Sequence, residues 1–305
     1  MIKLNNSKRH IPYTLVSVLI LVILALFVTS LSHKKEEDNT VSINKLEHSP
    51  LLLDNKLEAK AAFVLDVRDN IVLYEYNADT QLPLASITKL LSVLVAHEYF
   101  PRGTELSVSK TALEEEGDSG LILDEVWDID ALLSFILVTS SNDGVALLNE
   151  IYNEQNNNRF SEALDRKARE IGLSTFSIRN ATGLDLENPL RAANYGSARD
   201  VATLFSYALY KIPDILDATR TSVTKIASKD HIHLVENTNH VVDLIPNAVG
   251  GKTGFTDVAG GNLVMSFDRD IGKPIVVVVL GSSKDGRFSD MQTLVNAVLN
   301  QKTTY

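Results

Sequence analysis

Cysteine is absent from the 305-residue sequence. The chain therefore has no disulfide bond, no thiol nucleophile and no thiolate ligand for a metal. A surplus of positive charge is also absent, because 39 aspartates and glutamates outnumber 29 lysines and arginines, which gives a formal net charge of −10. A chain with this charge balance is not expected to bind nucleic acid.

Patterns typical of histidine or metal chemistry are scarce as well. None of the seven histidines adjoins a serine of the three motifs described below, so a Ser-His-Asp triad has little support. His231 and His233 alternate as on a strand without a matched third ligand, which indicates a polar surface strand rather than a metal site. Glu114–Glu116 and Asp118 lack the pattern of a calcium loop and indicate a solvated turn. We expect no metal and no cofactor.

Charge is missing altogether from residues 11–32. A helix of this length spans about 33 Å, enough to cross a hydrocarbon core of roughly 30 Å. Lys3, Lys8 and Arg9 precede the run, which predicts a cytoplasmic tail at 1–10, a single transmembrane anchor at 11–32 and an extracytoplasmic remainder. The alternative is a cleaved signal peptide, but the run exceeds the usual apolar core of such a peptide. Both interpretations export the rest of the chain.

A polar stretch at residues 33–55 separates this run from the remaining sequence. Its charged and polar beginning at 34–40 shows no periodic apolar face, which indicates a flexible linker. An ordered extension that packs through Leu51–Leu53 is the alternative. Residues 56–305 are long enough for one large domain with a sizeable core.

Three short motifs follow in this part of the chain, and the first is Ser86-Ile-Thr-Lys89. The mostly apolar residues at 90–95 indicate a buried helix that opens at the serine. Residues three apart on a helix share a face, so Ser86 Oγ and Lys89 Nζ can meet beside the free N–H groups of the helix N-terminus. Ser-x-x-Lys also occurs at four other places. Taken alone, the motif is explained more simply by an N-cap serine and a surface lysine.

The chemistry of the first motif places a demand on its lysine. An ordinary lysine is protonated at neutral pH and cannot take a proton from serine. Lys89 can act as a base only if burial or a nearby cation lowers its pKa, and Lys252 is the candidate cation.

The second motif, Ser140-Ser-Asn142, lies between apolar helical runs at 129–138 and 144–148 and therefore marks a helix–helix junction. Such a corner can direct the Ser140 hydroxyl towards Lys89 as a proton relay and the Asn142 amide towards a substrate. Capping of the second helix explains the same residues without a catalytic role.

The third motif, Lys252-Thr-Gly254, precedes an apolar run at 262–267, which indicates a glycine-flanked strand edge. Small residues let a substrate backbone pair with the strand, while Lys252 and Thr253 offer donors to a carboxylate. A β-bulge or tight turn with a solvent-facing lysine is the alternative. Together, the three motifs predict a serine acyl-transfer site with lysine as the base.

These motifs, in this order, resemble those of penicillin-binding proteins and class A β-lactamases. The chain is most similar to the serine D-alanyl-D-alanine carboxypeptidases, the low-molecular-mass penicillin-binding proteins. The segments that fit the pattern of that family are 85–90, 139–143, 180–185, 195–200 and 251–257. The likeness extends over about residues 56–300.

The resemblance implies a role for each matching residue. Ser86 would be the acylated nucleophile and Lys89 its general base, while the backbone N–H groups of Ser86 and Phe255 would form the oxyanion hole. Arg287 matches an arginine near the substrate carboxylate, although a surface-loop arginine explains it equally well. The implied catalytic residues are Ser86, Lys89, Ser140 and Asn142, and the implied substrate-binding residues are Lys252, Thr253, Gly254, Phe255 and Arg287.

The activity that the resemblance implies is hydrolysis of the terminal D-Ala-D-Ala bond of peptidoglycan stem peptides by a domain at 56–305. It also implies that β-lactam antibiotics are covalent inhibitors. Two positions depart from the family pattern: Ser141 stands where many relatives have glycine, and Phe255 where histidine is frequent. Substrate preference near the third motif is therefore left open, and the sequence indicates no particular oligomeric state.

Three alternatives share the same residues. A D,D-endopeptidase would use the same site on cross-linked peptides. A serine β-lactamase of class A needs a deacylating glutamate, for which Glu187 is the one candidate, in a segment that does not match the motif. A catalytically silent envelope scaffold is a third hypothesis, against which the intact motif residues argue.

The fold class that the periodicity predicts is α/β of the α+β type. Strand patterns occur at 62–67, 71–76, 221–227, 231–236, 250–253, 262–267 and 274–280. Helical patterns fill the interval from 86 to about 210 and return at 291–299. This order predicts an antiparallel sheet of about five strands that is flanked by helices and carries an inserted helical lobe. The resemblance implies the same arrangement, that of the β-lactamase/DD-peptidase fold.

Overall fold

The computed structural model describes residues 51, 53, 56–157, 159–187 and 189–301. The predicted tail at 1–10 and the predicted anchor at 11–32 lie outside the described residues, as do most of the predicted linker and the last four residues of the predicted domain. Within the described part of the chain, no helix combines the length and the apolar character that crossing a membrane requires.

The described residues form strands, α-helices and short 3-10 turns. In chain order, the strands are β1 (Ala61–Asp66), β2 (Ile71–Tyr76), β3 (Leu82–Pro83), β4 (Glu105–Ser107), β5 (Val126–Asp128), β6 (Leu186–Glu187), β7 (Leu190–Arg191), β8 (Tyr195–Gly196), β9 (Val223–Ala227), β10 (Ile232–Glu236), β11 (Ala248–Thr256), β12 (Gly260–Asp268) and β13 (Pro274–Ser282). The α-helices are α1 (Thr88–Tyr99), α2 (Ile129–Thr139), α3 (Asn142–Gln155), α4 (Phe160–Glu170), α5 (Ala198–Lys211), α6 (Pro213–Asp217) and α7 (Gly286–Asn300). The 3-10 turns occupy Ala85–Ile87, Ala112–Glu114, Ala218–Arg220 and Val242–Leu244.

The central sheet has five antiparallel strands in the order β11-β12-β13-β1-β2. The predicted antiparallel sheet of about five strands is therefore confirmed. The first hairpin of the chain, β1 and β2, joins the last three strands through β1 and β13, with Ala61 opposite Leu280. The segments between β2 and β11 are thus inserted between two parts of one sheet, as the strand pattern predicted.

The central strands are apolar throughout because both faces of the sheet are covered. Phe63 and Leu65 of β1 point to the core that contains the helices α1 to α6. Val64, between them, points to a second core that α7 closes with Met291 and Leu294. Successive residues of a strand alternate between faces, so the run at 61–65 serves both cores at once.

The inserted part is helical, but it also contains short strand pairs that the periodicity did not predict. β3 pairs with β8, β4 with β5, and β6 with β7, each over two or three residues. Runs this short show no periodicity that a sequence could reveal. The predicted second hairpin is present as β9 and β10, and Ile232 lies opposite Ala227.

The edge strand β11 meets the beginning of the helical part. The amide Nδ2 of Asn262, on the neighbouring β12, donates to the carbonyls of Pro83 at 2.9 Å and Leu84 at 3.1 Å. These bonds hold the 3-10 turn Ala85–Ile87 against the sheet. The turn, the edge strand and the junction between α2 and α3 surround the residues of the three motifs.

Candidate active site

Ser86 and Lys89 of the first motif lie on consecutive turns of one helical segment. The serine occupies the 3-10 turn Ala85–Ile87, and the α-helix begins two residues later at Thr88 rather than at the serine itself. The predicted contact is nevertheless present, since Lys89 Nζ lies 2.8 Å from Ser86 Oγ. Local geometry thus places the hydroxyl and the amine within hydrogen-bond distance.

The backbone that leads into this turn is held in an uncommon conformation. Ala85, directly before the serine, has a φ of 46°, which a residue with a side chain adopts rarely. Gly183 packs against it so tightly that a β-carbon there would lie 2.1 Å from the Ala85 carbonyl oxygen. The absence of a side chain at Gly183 therefore permits the shape of the turn that carries Ser86.

Lys89 is fully buried, and its amine has three partners. Besides Ser86, Nζ donates to Asn142 Oδ1 at 2.6 Å and to the Thr182 carbonyl at 2.7 Å. Burial lowers the pKa of Lys89 to about 7, and the carboxylates of Glu115 and Asp143 oppose part of this shift. A substantial fraction of the amine is then neutral at neutral pH and can accept a proton.

The expectation that Lys252 supplies the cation that lowers this pKa is corrected by the structure. Burial lowers the pKa of Lys89. Repulsion between the two amines lowers the pKa of Lys252 instead. Lys252 is also fully buried, and burial together with repulsion from Lys89 and Arg287 lowers its pKa well below the ordinary value. Its Nζ donates to the Thr253 carbonyl at 2.9 Å.

The second motif lies at the predicted helix–helix junction. Ser140 ends α2 in the left-handed conformation with a φ of 62°, and α3 begins at Asn142. The Asn142 amide is fixed at both ends, because Oδ1 accepts from Lys89 and Nδ2 donates to the Glu116 carbonyl at 2.8 Å. The Ser140 hydroxyl has no hydrogen bond among the described residues, so the proton relay to Lys89 stays a prediction.

Ser141 caps α3 and contacts a buried carboxylate. Its Oγ accepts from the Gly144 amide at 2.8 Å and hydrogen-bonds to Asp143, which is 1% exposed. Ser119 joins this pair, with its Oγ at 2.8 Å from Ser141 Oγ and a further hydrogen bond to Asp143. A glycine at position 141 would offer no hydroxyl to this group of side chains.

The third motif lies on β11, as the strand pattern predicted. Gly254 packs on the turn of the nucleophile, because a β-carbon there would lie 2.9 Å from the Leu84 carbonyl and 3.2 Å from the Ser86 nitrogen. The backbone of Gly254 thus lies beside that of Ser86, with no room for a side chain between them. Thr253 is 4% exposed, and its hydroxyl shares a 2.6 Å hydrogen bond with Thr238.

Arg287 is a buried residue of α7, so the interpretation as a surface-loop arginine is wrong. It is 6% exposed, and its Nη1 donates to the Gly254 carbonyl at 2.8 Å. Its Nε is buried and has no hydrogen-bond partner among the described residues. The guanidinium and the Lys284 amine both lie near the ring of Phe255, at 6.0 and 5.4 Å from its centre. This cationic end of β11 suits a carboxylate.

Several residues that support the site lie outside the three motifs. The Thr182 carbonyl holds Lys89, and Asn180 Oδ1 accepts from the Gly183 amide at 2.9 Å to shape the same loop. Asn194 Nδ2 reaches Thr88 Oγ1 at 3.0 Å and ties this loop to α1. Segments 180–185 and 195–200 matched the family pattern, which was the one available signal.

The minor candidates lie elsewhere or stand alone. His233 Nε2 bonds Glu125 Oε1 at 2.6 Å, and the part of the chain that the structure describes contains no group of three or more metal-ligating side chains. Glu187 lies exposed on β6. Glu114, Glu116 and Asp118 are exposed, as expected for a solvated turn. The turn also contributes the Glu116 carbonyl to Asn142 and the negative charge of Glu115 near Lys89.

The chain is similar to known proteins in family pattern, sequence and structure. A family model described as D-alanyl-D-alanine carboxypeptidase matches residues 44–284. A D-alanyl-D-alanine carboxypeptidase of Bacillus subtilis is 28% identical over 255 residues, which cover 81% of this chain and 64% of the relative. A D-alanyl-D-alanine endopeptidase of Escherichia coli is 27% identical over 245 residues, which cover 78% of this chain and 76% of the relative. The chain thus spans less than two thirds of the length of the Bacillus relative.

Solved structures show the same fold. The D-alanyl-D-alanine carboxypeptidase of Mycobacterium tuberculosis superposes with a TM-score of 0.73 at 20% identity, covering 84% of this chain and 96% of that one. Penicillin-binding protein D2 of Listeria monocytogenes, solved in its ampicillin-bound form, gives a TM-score of 0.66 at 25% identity, covering 80% and 98%. The predicted architecture of a penicillin-binding protein is therefore confirmed.

Proposed function

The chain belongs to the D-alanyl-D-alanine carboxypeptidase family of serine peptidases, and from this we propose that it hydrolyses the terminal D-Ala-D-Ala bond of peptidoglycan stem peptides through an acyl-enzyme on Ser86. The observation that carries the proposal is the pair of Ser86 Oγ and Lys89 Nζ, 2.8 Å apart, with the pKa of the buried lysine at about 7. A serine hydroxyl and an adjacent base with a lowered pKa are what nucleophilic acyl transfer requires.

In the first half of the reaction, neutral Lys89 accepts the hydroxyl proton while Ser86 Oγ forms a bond to the carbonyl carbon of the penultimate D-alanine. The carbonyl electron pair moves onto oxygen, where the N–H groups of Ser86 and Phe255 stabilise it; such donors each contribute about 3 kcal/mol or more. The C–N bond then breaks, and the leaving nitrogen takes the proton held by Lys89. D-Alanine departs and Ser86 stays esterified.

In the second half, water attacks the ester carbonyl and gives a proton to Lys89. Collapse of this intermediate returns the proton to Ser86 Oγ and releases the shortened peptide. In this proposal, Lys252 and Thr253 of β11 and Arg287 of α7 bind the carboxylate of the terminal D-alanine. A bound carboxylate favours the charged form of Lys252, whose pKa is low in the free site.

The test is the intact mass of the protein after a pulse of penicillin, with Ser86→Ala alongside, and D-alanine release from a stem pentapeptide. We expect a long-lived adduct and D-alanine release from the parent, and neither from the variant. Equal D-alanine release by Ser86→Ala would rule the assignment out. A short-lived adduct with rapid drug turnover would indicate a β-lactamase, and no adduct on folded protein would indicate the silent scaffold.

A D,D-endopeptidase is a second candidate, because relatives from Escherichia coli and Pseudomonas aeruginosa carry that description at 27% and 28% identity. The same Ser86 and Lys89 would cleave the bond between two cross-linked peptides. Purified cross-linked muropeptides separate the two activities. Release of monomers without free D-alanine would favour the endopeptidase.

We further propose that residues 11–32 anchor the protein in the cell membrane and leave the catalytic domain outside the cytoplasm. The uncharged run and the preceding Lys3, Lys8 and Arg9 support this. Detergent should be needed to release the full chain from membranes, whereas a chain starting at Leu57 should stay in solution. If expression of the full sequence instead yields a shortened protein that is in solution without detergent, the N-terminal segment is a cleaved signal peptide.

A further inference from the structure

A hydroxyl group from outside the three motifs reaches the buried carboxylate behind the second motif. Ser119 Oγ bonds both Ser141 Oγ, at 2.8 Å, and Asp143, while the Ser119 amide donates to Asp143 Oδ2 at 3.4 Å. Ser141 and Asp143 are each 1% exposed. Ser119 thereby attaches the segment 115–120 to the N-terminus of α3.

The same segment touches the reaction centre at two other points. The Glu116 carbonyl accepts from Asn142 Nδ2 at 2.8 Å, so the opposite end of that amide, Oδ1, faces Lys89. The Glu115 carboxylate raises the pKa of Lys89 against the effect of burial. The position of the segment therefore bears on which atoms surround the lysine amine.

Little else holds the segment 115–120 in place. Gly117 and Gly120 have positive φ values of 95° and 92°, and the residues between them are not buried. The Gly120 amide donates to Asp118 Oδ1 at 2.9 Å, a bond within the segment itself. Besides the bond between the Glu116 carbonyl and Asn142, the bonds of Ser119 connect this segment to the N-terminal end of α3.

We propose that Ser119 is a positioning residue for the acyl-transfer reaction: its hydroxyl, bound to Ser141 and Asp143, holds the segment 115–120 so that the Glu116 carbonyl orients Asn142 with Oδ1 towards Lys89. The inference rests on the proposed function of Ser86 and Lys89. It assigns a use to the serine at position 141, since a glycine there cannot accept from Ser119.

Loss of the Ser119 hydroxyl has a defined electrostatic consequence. The charged groups that shift the pKa of Lys89 are Glu115 from the segment and Asp143 from α3, while the neighbouring amine of Lys252 on β11 has its own pKa lowered by Lys89. A released segment carries Glu115 away and lets the Asn142 amide turn, which removes a negative charge and a hydrogen-bond acceptor from the ammonium. Both changes disfavour the charged form, so neutral Lys89 persists to lower pH.

The experiment compares Ser119→Ala with Ser119→Thr, which keeps the hydroxyl, and with Ser134→Ala, which loses a partly buried hydroxyl bonded within α2. Two quantities are measured for each folded protein. One is the rate of acylation by a penicillin as a function of pH, and the other is hydrogen–deuterium exchange of the amides at 115–120.

For Ser119→Ala we expect the acid limb of the acylation profile to move to lower pH, the plateau rate to fall about tenfold, as for a lost hydrogen bond to a charged group, and exchange at 115–120 to rise. Ser119→Thr should restore all three quantities, and Ser134→Ala should match the parent. An unchanged acid limb and unchanged exchange in Ser119→Ala would overturn the proposal, whatever the thermal stability of that variant.

A parent protein that penicillin never acylates would refute the proposed function. Unchanged exchange in Ser119→Ala would separately refute the attachment of the segment 115–120 through Ser119.

Discussion

The base strength of Lys89 results from opposed contacts of a single side chain. Burial favours the neutral amine, while Glu115, Asp143 and the acceptors Asn142 and Thr182 favour the ammonium. The balance leaves the pKa at about 7. A base in this range is partly free at neutral pH and still basic enough to take a serine proton.

The contribution of Glu115 can be isolated by one substitution. Glu115→Gln removes a negative charge that stabilises the ammonium, so the pKa of Lys89 should fall below about 7. Acylation by penicillin, which needs the neutral amine, should then begin at lower pH than in the parent. Stopped-flow acylation rates across this pH range measure the shift.

Glu154→Gln provides the matched control, because Glu154 lies exposed on α3 and is not among the charges that shift the pKa of Lys89. Its acid limb should coincide with that of the parent. A profile of Glu115→Gln that coincides as well would show that the charge at 115 does not reach the lysine.

Glycine at position 183 is required by contact as well as by backbone conformation. Gly183 and Gly103 both have positive φ, 84° and 79°, but of the two only Gly183 packs against another backbone. Gly103→Ala should cost about 1 kcal/mol of unfolding free energy through backbone strain. Gly183→Ala should cost about 1–3 kcal/mol more, since the added carbon meets the Ala85 carbonyl.

Urea denaturation of both variants measures the difference, and penicillin acylation shows where the clash is relieved. Because the displaced turn carries Ser86, Gly183→Ala should be acylated much more slowly while Gly103→Ala keeps the parent rate. Equal stability and equal acylation rates in the two variants would show that the close contact between Gly183 and Ala85 affects neither folding nor the position of Ser86.

At the scale of elements, alternation and motif spacing predicted the large pieces. The apolar runs of β1, β12 and β13 revealed the sheet, and the spacing of Ser86 and Lys89 placed them on one helical face. The structure starts α1 at Thr88, because a 3-10 turn precedes it, which a propensity pattern does not distinguish from the helix itself.

The contacts of Glu116, Thr182 and Ser119 that support the site could not be predicted from the sequence, for a physical reason. Glu116 and Thr182 act through backbone carbonyls, which every residue possesses. Ser119 meets Asp143 through the tertiary fold, and a lone serine in a polar turn has no periodicity. The acidic run at 114–116 was therefore predicted to be solvated, although its backbone faces the site.

The hairpin of β9 and β10 is attached to the residue directly before β5 through the buried carboxylate of Glu125. Its Oε1 accepts from Ser228 Oγ and His233 Nε2, both at 2.6 Å. Burial raises the pKa of Glu125, but these hydrogen bonds together with one from the Ile122 amide outweigh it and leave the pKa below its ordinary value. The charged carboxylate therefore stabilises the folded hairpin.

Glu125→Gln should lower the free energy of unfolding by about 1–3 kcal/mol at neutral pH, as for a lost hydrogen bond to a charged group. A lowered pKa contributes stability above the unfolded value of about 4.3 and loses it as the pH falls through the folded value. The difference between parent and variant should therefore shrink in acid. Urea denaturation at several pH values checks this, and Glu236→Gln, exposed on β10, should show no such pH-dependent difference.

At the scale of the whole molecule, two cores share one sheet, and α7 closes the core on the side away from α1. Leu294 is fully buried in that core, whereas Leu299 on the same helix is 39% exposed. Leu294→Ala should lower the free energy of unfolding by about 2–5 kcal/mol. Leu299→Ala should lower it much less, and similar losses in urea denaturation would contradict this division of the helix.

The pairing of β1 with β13 also sets the order of events during synthesis. Ser86 and Lys89 are made before β11, which carries Lys252, and before β13, which pairs with β1 and places Leu280 opposite Ala61. Closing so long a loop is entropically unfavourable until the late strands can pair. The nascent chain thus holds its nucleophile without the strand that carries the third motif, and the proposed activity is withheld until β11 and β13 have been translated.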